Sequence, residues 1–190
     1  MARTLALLVL TLGLATGCAN RQPATQSEID ERNQALRDDI DLSLREFKRA
    51  DPSMQDLFDS AHGYAVFPRV SKGGLVIGGS YGYGQVFQGG RLVGEASITK
   101  LSLGLQAGGQ IFREIIFFED PATLTRFKAG SFAFSAEATA AAAADGAAAS
   151  ADYAEGVTVF VMPIKGLMLE ASLGGQKFNY TPLPEPIMTN

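Results

Sequence analysis

The sequence predicts an α+β fold: N-terminal helices, then a highly curved, glycine-rich antiparallel sheet or barrel-like core with one short helix inserted between strands. Three observations carry this. Apolar residues recur at helical spacing as far as residue 61 and at strand spacing from Tyr64 onward. Nineteen of the 21 glycines fall between Gly63 and Gly175, inside apolar runs that glycine would spoil as helices. An Asp-Pro pair, a helix-start signal, occurs at Asp51-Pro52 before the strands and again at Asp120-Pro121 among them.

The 190 residues allow one domain plus a targeting segment. A chain that is 46% hydrophobic and 19% charged buries a core. Its net charge of -4 argues against nucleic-acid binding, which draws its affinity from neutralised phosphates. One Cys and one His exclude an internal disulfide, a Cys/His zinc cluster and a thiol-disulfide motif. No metal or cofactor is expected.

Arg3 followed by the apolar stretch Leu5 to Leu14 reads as a signal segment, too short for an ordinary membrane span. Ala15-Thr16-Gly17-Cys18 then resembles a bacterial lipobox, with Ala15 where Leu is usual. On that reading residues 1–17 are removed and Cys18 becomes an acylated first residue, held stably by several acyl chains. Ala19 in second place resembles the outer-membrane sorting pattern, with the domain facing the periplasm. The other reading is an ordinary secretory signal in which Cys18 is incidental.

Residues 18–27 are small and polar and read as a tether to a single domain over 28–190. Ile29, Leu36, Ile40, Leu44 and Phe47 form one apolar face of a helix from Glu28 to Ala50, with Ser27 as N-cap. Its polar face is nearly balanced in charge, which favours packing on the domain over lying on a membrane surface. Asp51 and Pro52 open a second helix with Met54, Leu57, Phe58 and Ala61 on its buried face, ended by Gly63. His62 reads as a capping or core histidine.

Strands are expected at Tyr64 to Phe67, Leu75 to Tyr83 and Gln85 to Gln88, with a turn at Lys72-Gly73-Gly74 and a hairpin turn at Gly89-Gly90. Arg91 to Gln110 continues extended, and Ile111 to Phe118 should be central. Asp120 and Pro121 start a short helix with Leu124 and Phe127 inward, ending near Gly130. Phe132, Phe134 and Ala136 alternate as a strand, and Ala140 to Ala151 reads as two small-residue strands about an Asp145-Gly146 turn. Val157 to Met162, Leu167 to Leu173 and Gln176 to Tyr180 complete the β core over about 64–181, with an extended tail over 182–190. Phe67-Pro68 then Lys72-Gly73 is echoed by Met162-Pro163 then Lys165-Gly166.

Gly78-Gly79-Ser80-Tyr81-Gly82 satisfies G-x-S-x-G. A nucleophile elbow needs a helix after the serine, but Gln85-Val86-Phe87 reads as strand, and the only His precedes the serine. No phosphate loop is present, and Glu95, Glu114, Glu119, Asp120 and Glu137 show no paired spacing. No catalytic residue emerges.

Residues 61–84, AHGYAVFPRVSKGGLVIGGSYGYG, resemble the SYLF domain family, the Las17-binding type. Gly63, Phe67, Pro68, Lys72, Gly74, Gly78, Gly79, Gly82, Gly84 and Tyr81 or Tyr83 match its pattern of a short apolar strand, Phe-Pro, a Lys-Gly turn and a glycine-spaced strand. Gly104, Gln106 and Gly108 resemble its Gly-x-Gln-x-Gly segment, Phe117 and Phe118 the strand after it, and Lys165-Gly166-Leu167 its late turn. The resemblance spans residues 30–181 and implies helices on a highly curved antiparallel sheet and membrane-lipid binding. It also implies phosphoinositides and actin in eukaryotic members, neither of which a periplasm-facing lipoprotein meets. The expected protein is a non-catalytic, lipid-anchored envelope protein that binds phospholipid, with Arg69, Lys72, Lys100 and Lys165 as headgroup contacts. The alternatives are a structural or protein-interaction scaffold with unknown partners, and a hydrolase using Ser80.

Overall fold

The computed structural model describes residues 23–74, 77–130, 140–142 and 146–183. The signal segment, Cys18, the strand expected around Phe132, Phe134 and Ala136, and the tail from residue 184 lie outside the described residues. Helix α1 (Gln26–Ala50) leads to α2 (Met54–Ser60), strands β1 (Gly63–Gly74), β2 (Ile77–Gln88) and β3 (Arg91–Phe118), helix α3 (Pro121–Lys128), strand β4 (Ala140–Ala142), a 3-10 turn (Ala148–Ser150) and β5 (Val157–Pro182).

Helix α1 starts two residues before its expected limit, because Thr25 and Glu28 cap it reciprocally. Thr25 Oγ1 accepts from the Glu28 N–H at 3.4 Å, and the Glu28 carboxylate accepts from the Thr25 N–H at 2.7 Å. Ser27, the expected cap, falls inside the first turn and points to Glu31. Ile40, Ser43 and Phe47 are buried, and the rest of the predicted apolar face is half-buried, so only the C-terminal half of α1 packs closely.

Asp51 does not cap α2, whose first residue is Met54. The Asp51 carboxylate accepts from the Ser53 N–H at 3.0 Å, the Ser53 hydroxyl at 2.6 Å and the Ala148 N–H at 2.7 Å. It therefore ties the end of α1 to a segment nearly a hundred residues away. Burial alone would raise its pKa, but these hydrogen bonds outweigh burial and hold it below the usual carboxylate range. At Asp120 the expected cap does form, with its carboxylate accepting from the Thr123 N–H at 2.7 Å.

The sheet order is β1-β2-β3-β5-β4, with an added β1–β3 pairing, and the sheet curls without closing. All pairings are antiparallel except the short one between β4 and β5. Strand β3 is long enough to serve both edges of the β1–β2 hairpin. Its first half pairs with β2 from Arg91 to Leu103, and its second half pairs with β1 from Gly108 to Phe118. Strand β5 follows the other edge of β3 throughout, from Gly94↔Pro182 to Phe118↔Val157. The Gly89-Gly90 turn is as expected, with φ of 55° and 75°.

Several expected breaks are absent. Lys72-Gly73-Gly74 is strand, not turn: Lys72 pairs with Ser80 and Gly74 with Gly78. Lys165-Gly166 likewise lies within the continuous β5. What the repeated proline pattern marks is a pair of bulges. The β1 register shifts at Phe67-Pro68-Arg69, and the β5 register shifts between Pro163 and Lys165. Proline has no N–H to give the ladder, so a bulge tolerates it where a regular position would not. After Ala142, the second expected small-residue strand is instead the 3-10 turn, following Gly146 at φ 78°.

The inner face of the curl buries Phe67, Val70, Ile98, Ile116, Phe118 and Phe178, closed at one end by Leu124 and Phe127 of α3. Phe67 and Phe178 lie on strands separated by β2 and β3, roughly 14 Å apart in a flat sheet. Their ring centroids are 5.9 Å apart, which measures the curl. The outer face packs Val66, Ile115, Phe117 and Phe160 against Ile40, Phe47, Met54 and Leu57 of the first two helices.

Glycine makes this curvature possible. A Cβ on Gly84 would collide with the Val66 carbonyl and the Phe67 ring, and one on Gly82 would meet the Arg69 carbonyl at 2.7 Å. On Gly79, facing out, the nearest atom is 3.6 Å away. Gly84→Ala is therefore expected to cost about 3 kcal/mol or more and Gly79→Ala less than about 1, as measured by urea unfolding. Asp51→Ala strands donors from two segments and is expected to cost about 2–4 kcal/mol in the same assay.

Candidate functional site

Two surfaces of the sheet carry the residues singled out in the sequence. Cα register places Lys72, Ser80, Lys100 and Gln176 side by side across β1, β2, β3 and β5. Alternation puts them on the inner face with Val70, Ile98 and Phe178. Ser80, Lys100 and Gln176 are buried and Lys72 is half-buried. Glu114, 1% exposed, reaches in from the second half of β3, and its Oε2 accepts from Gln176 Nε2 at 3.2 Å. Burial pushes the Glu114 carboxyl up to about 7, while the Gln176 hydrogen bond and the charges of Lys100 and Lys72 pull against that rise.

Ser80 stands mid-strand in β2 with strand on both sides. Its hydroxyl has no hydrogen-bond partner among the described residues. His62 sits at the other end of that strand, 3.0 Å from the Gln88 side chain. The strand-turn-helix geometry and the base that a nucleophile elbow requires are both missing at Ser80. Among the described residues, no group of three or more His, Cys, Asp or Glu is placed to hold a metal ion, and no helix is long and apolar enough to cross a membrane.

On the outer face, Ile77, Tyr81, Tyr83 and Leu101 are all exposed, Ile77 and Leu101 by more than 60%. The two tyrosine rings meet edge to face at 5.0 Å, and their hydroxyls interact, which pushes the Tyr81 phenol up to about 12. Lys177, also exposed, lies in the same cross-strand row as Tyr81 and Thr99. Beside this patch a cleft of 370 Å³ opens between α1 and the sheet, lined by Leu36, Asp39, Pro68, Arg69, Tyr83 and Glu95 among others. Arg69 crosses its wall and pairs with Asp39 of α1 at 3.0 and 3.4 Å.

The four basic residues proposed as headgroup contacts therefore do not share a surface. Arg69 and Lys165 are outward and exposed, whereas Lys100 and Lys72 turn into the curl. The glycines of the family motif are structural where the geometry is clear. Gly63, Gly82 and Gly84 each lie against the backbone of a neighbouring strand. Gly104, Gln106 and Gly108 pair with Ser172, Glu170 and Met168 of β5.

Sequence reasoning missed Glu114, Gln176 and the tyrosine pair as members of sites. Two signals were available. Glu114 shares strand parity with Phe112, Ile116 and Phe118, which makes it a charge on a core face. Tyr81 and Tyr83 alternate with Ser80, Gly82 and Gly84, which puts two aromatics on the opposite side from a glycine-lined core.

This geometry defines a class: an α+β domain built on a curled, glycine-lined sheet, with buried polar groups inside and an aromatic face outside. Residues 99–181 match the family described as Las17-binding protein actin regulator. Over 141 residues the chain is 31% identical to Beta cell expansion factor A of Aeromonas veronii, covering 73% of this chain and 53% of that protein. The chain thus spans about half the length of that curated relative. The resemblance to the SYLF domain family carried by its glycine and Phe-Pro motifs is thus met by a domain match over residues 99–181 and by a SYLF-type relative.

Glu114 sets a pH dependence. Its carboxyl holds a proton more tightly in the folded chain than in the unfolded one, whose ordinary value is 4.5. Its favourable contribution is complete below that pH and is lost as pH rises through about 7, a loss on the order of 3 kcal/mol. Urea unfolding between pH 5 and pH 8 should show this decline in wild type and a flatter profile in Glu114→Gln. Parallel profiles for the two proteins would contradict the assignment.

Proposed function

We propose that this is a non-catalytic, lipid-anchored envelope protein whose domain binds membrane lipid through the outer face of β2 and β3. The observation that carries the reading is the exposed set Ile77, Tyr81, Tyr83 and Leu101 on the outer face, whose other large apolar residues Val66, Ile115, Phe117 and Phe160 are covered by helices. Contiguous exposed apolar surface marks a contact site. Tyrosine suits a membrane interface, since its ring enters the apolar layer while its hydroxyl stays wet. Lys177 on the same face and Arg69 at its border supply charge for an anionic headgroup, and Lys165 is a third outward cation.

The reading also rests on the N-terminus. Acyl chains on Cys18 would hold the domain against the outer membrane, facing the periplasm. The short polar segment before Gln26 would confine it to within roughly 20 Å of the anchor. Confinement raises the effective concentration of lipid at the outer face, so weak contacts suffice. The actin and Las17 association belongs to the family's description and is not extended to this chain.

Flotation of the chain from Ala19 onward with vesicles of bacterial phosphatidylethanolamine and phosphatidylglycerol tests the proposal. Binding is expected, falling about tenfold or more in Tyr81→Ser/Leu101→Ser with unchanged unfolding midpoints. No binding by the wild type would overturn it, and recovery of one stoichiometric protein partner from envelope fractions instead would favour a scaffold role.

A further inference from the structure

We propose a second site, inside the curl, that binds a small phosphate or carboxylate compound bearing a hydroxyl, held by Lys100, Lys72 and Ser80 and faced by Glu114 and Gln176. It is distinct from the outer lipid-contact face and does not depend on it.

The residues converge from separate stretches of sequence. Neighbouring strands are about 4.8 Å apart, so the row Lys72, Ser80, Lys100 and Gln176 presents two ammonium groups on either side of a hydroxyl. Glu114 and Gln176 come from strand segments separated by three others, and they meet only because the sheet curls. One row further in, Val70, Gly82, Ile98 and Phe178 begin the apolar core. The polar row is the floor of the inner face at the hairpin end.

The polar groups are deeply placed and incompletely bonded. Ser80 Oγ, Glu114 Oε1 and Gln176 Oε1 are buried without a hydrogen-bond partner among the described residues, in side chains 6%, 1% and 4% exposed. Leaving such groups unpaired is unfavourable, and evolution of a purely structural core would favour apolar residues there. The site has lysine and serine donors for an oxyanion, and the Gln176 carbonyl and the Glu114 carboxyl, which accept from or donate to a hydroxyl. That pairing selects a hydroxylated oxyanion over a simple one.

The neighbouring row, toward the hairpin end, is almost free of side chains. Reading across the register, it is Gly108, Gly74, Gly78, Ser102 and Gly174, so four of its five positions have no side chain. Polar residues with buried, unpaired atoms thus lie directly behind a band of bare backbone. The same chemistry occurs in a free phosphoester and in a lipid headgroup entering from that end.

Glu114 couples the site to pH. The described charged groups acting on it are Lys100 and Lys72. Near its pKa it passes from a neutral donor to an anion that competes with the ligand for those lysines.

Calorimetric titration of the full chain tests this with three probes: sn-glycerol 3-phosphate, inorganic phosphate and dihexanoyl phosphatidylglycerol below its micelle concentration. Saturable binding of glycerol 3-phosphate, tighter than inorganic phosphate, is expected. It should weaken about tenfold in Lys100→Met and severalfold in Ser80→Ala, a change small enough to keep the fold. Glu114→Gln should bind more tightly than wild type at pH 8 and about equally at pH 5.5, a ratio that cancels the titration of the probe itself. Binding of the short-chain lipid alone, with the same dependence on Lys100 and Ser80, would support the site and assign its ligand to a headgroup. Absence of binding by all three probes at pH 5.5, or binding indifferent to both Lys100→Met and Ser80→Ala, would overturn the proposal. Since Tyr81→Ser/Leu101→Ser leaves this row intact, loss of vesicle binding in that variant with probe binding retained separates the two sites.

Discussion

The close approach of β1 to β2 at Gly82 and Gly84 is the constraint on which the rest of the structure depends. With any side chain there, Phe67 and Val70 could not lie over the inner face of β2, and the hairpin would flatten. A flat hairpin could not present its two edges to the two halves of one strand. Strand β3 would then pair with β2 or with β1 but not both, and the inner core around Phe67 and Phe178 would not form. Curvature is thus written in the residues that lack a side chain, while the prolines at the two bulges fix where register slips.

That curl separates two environments a single residue apart along the chain. Ser80 faces a buried polar row, and Tyr81, the next residue, faces solvent beside Tyr83. In a flat sheet both faces would need covering by other elements. Here one face is covered by the sheet itself and α3, the other partly by α1 and α2, and the uncovered remainder is the hairpin end with its exposed tyrosines and leucine. The outward patch and the inward polar groups both follow from bending one sheet with too few helices to cover it.

Much of this was legible in the sequence. The order of helices and strands, the Gly89-Gly90 turn, the Asp120 cap and the glycine-rich curved sheet follow from periodicity and local chemistry, and the motif order pointed to the family. What could not be read was continuity. Lys72-Gly73-Gly74 and Lys165-Gly166 carry turn chemistry, yet both are strand, because ladder bonds, to β2 and β3 in the first case and to β3 in the second, outweigh local preference. Asp51 shows the same limit: its local role as a cap yields to a contact with Ala148 that only the folded chain reveals. Which of Arg69, Lys72, Lys100 and Lys165 face outward depends on strand parity, and a one-residue shift, such as the bulge at Phe67-Pro68-Arg69 introduces, exchanges inside for outside.

The length of β5 bears on when the molecule can come into being at all. Its pairing with β3 joins Phe118 to Val157 at one end and Gly94 to Pro182 at the other, so the partner along that edge of β3 is supplied by a segment that emerges well after it. Until then one whole edge of a 28-residue strand stands open, with its hydrogen-bonding groups available to any extended segment. Such distant pairings make folding slow and leave the chain vulnerable to mispairing while it waits. The sheet is therefore complete only once β5 is in place, and its need for protection during biogenesis is set by a single seam.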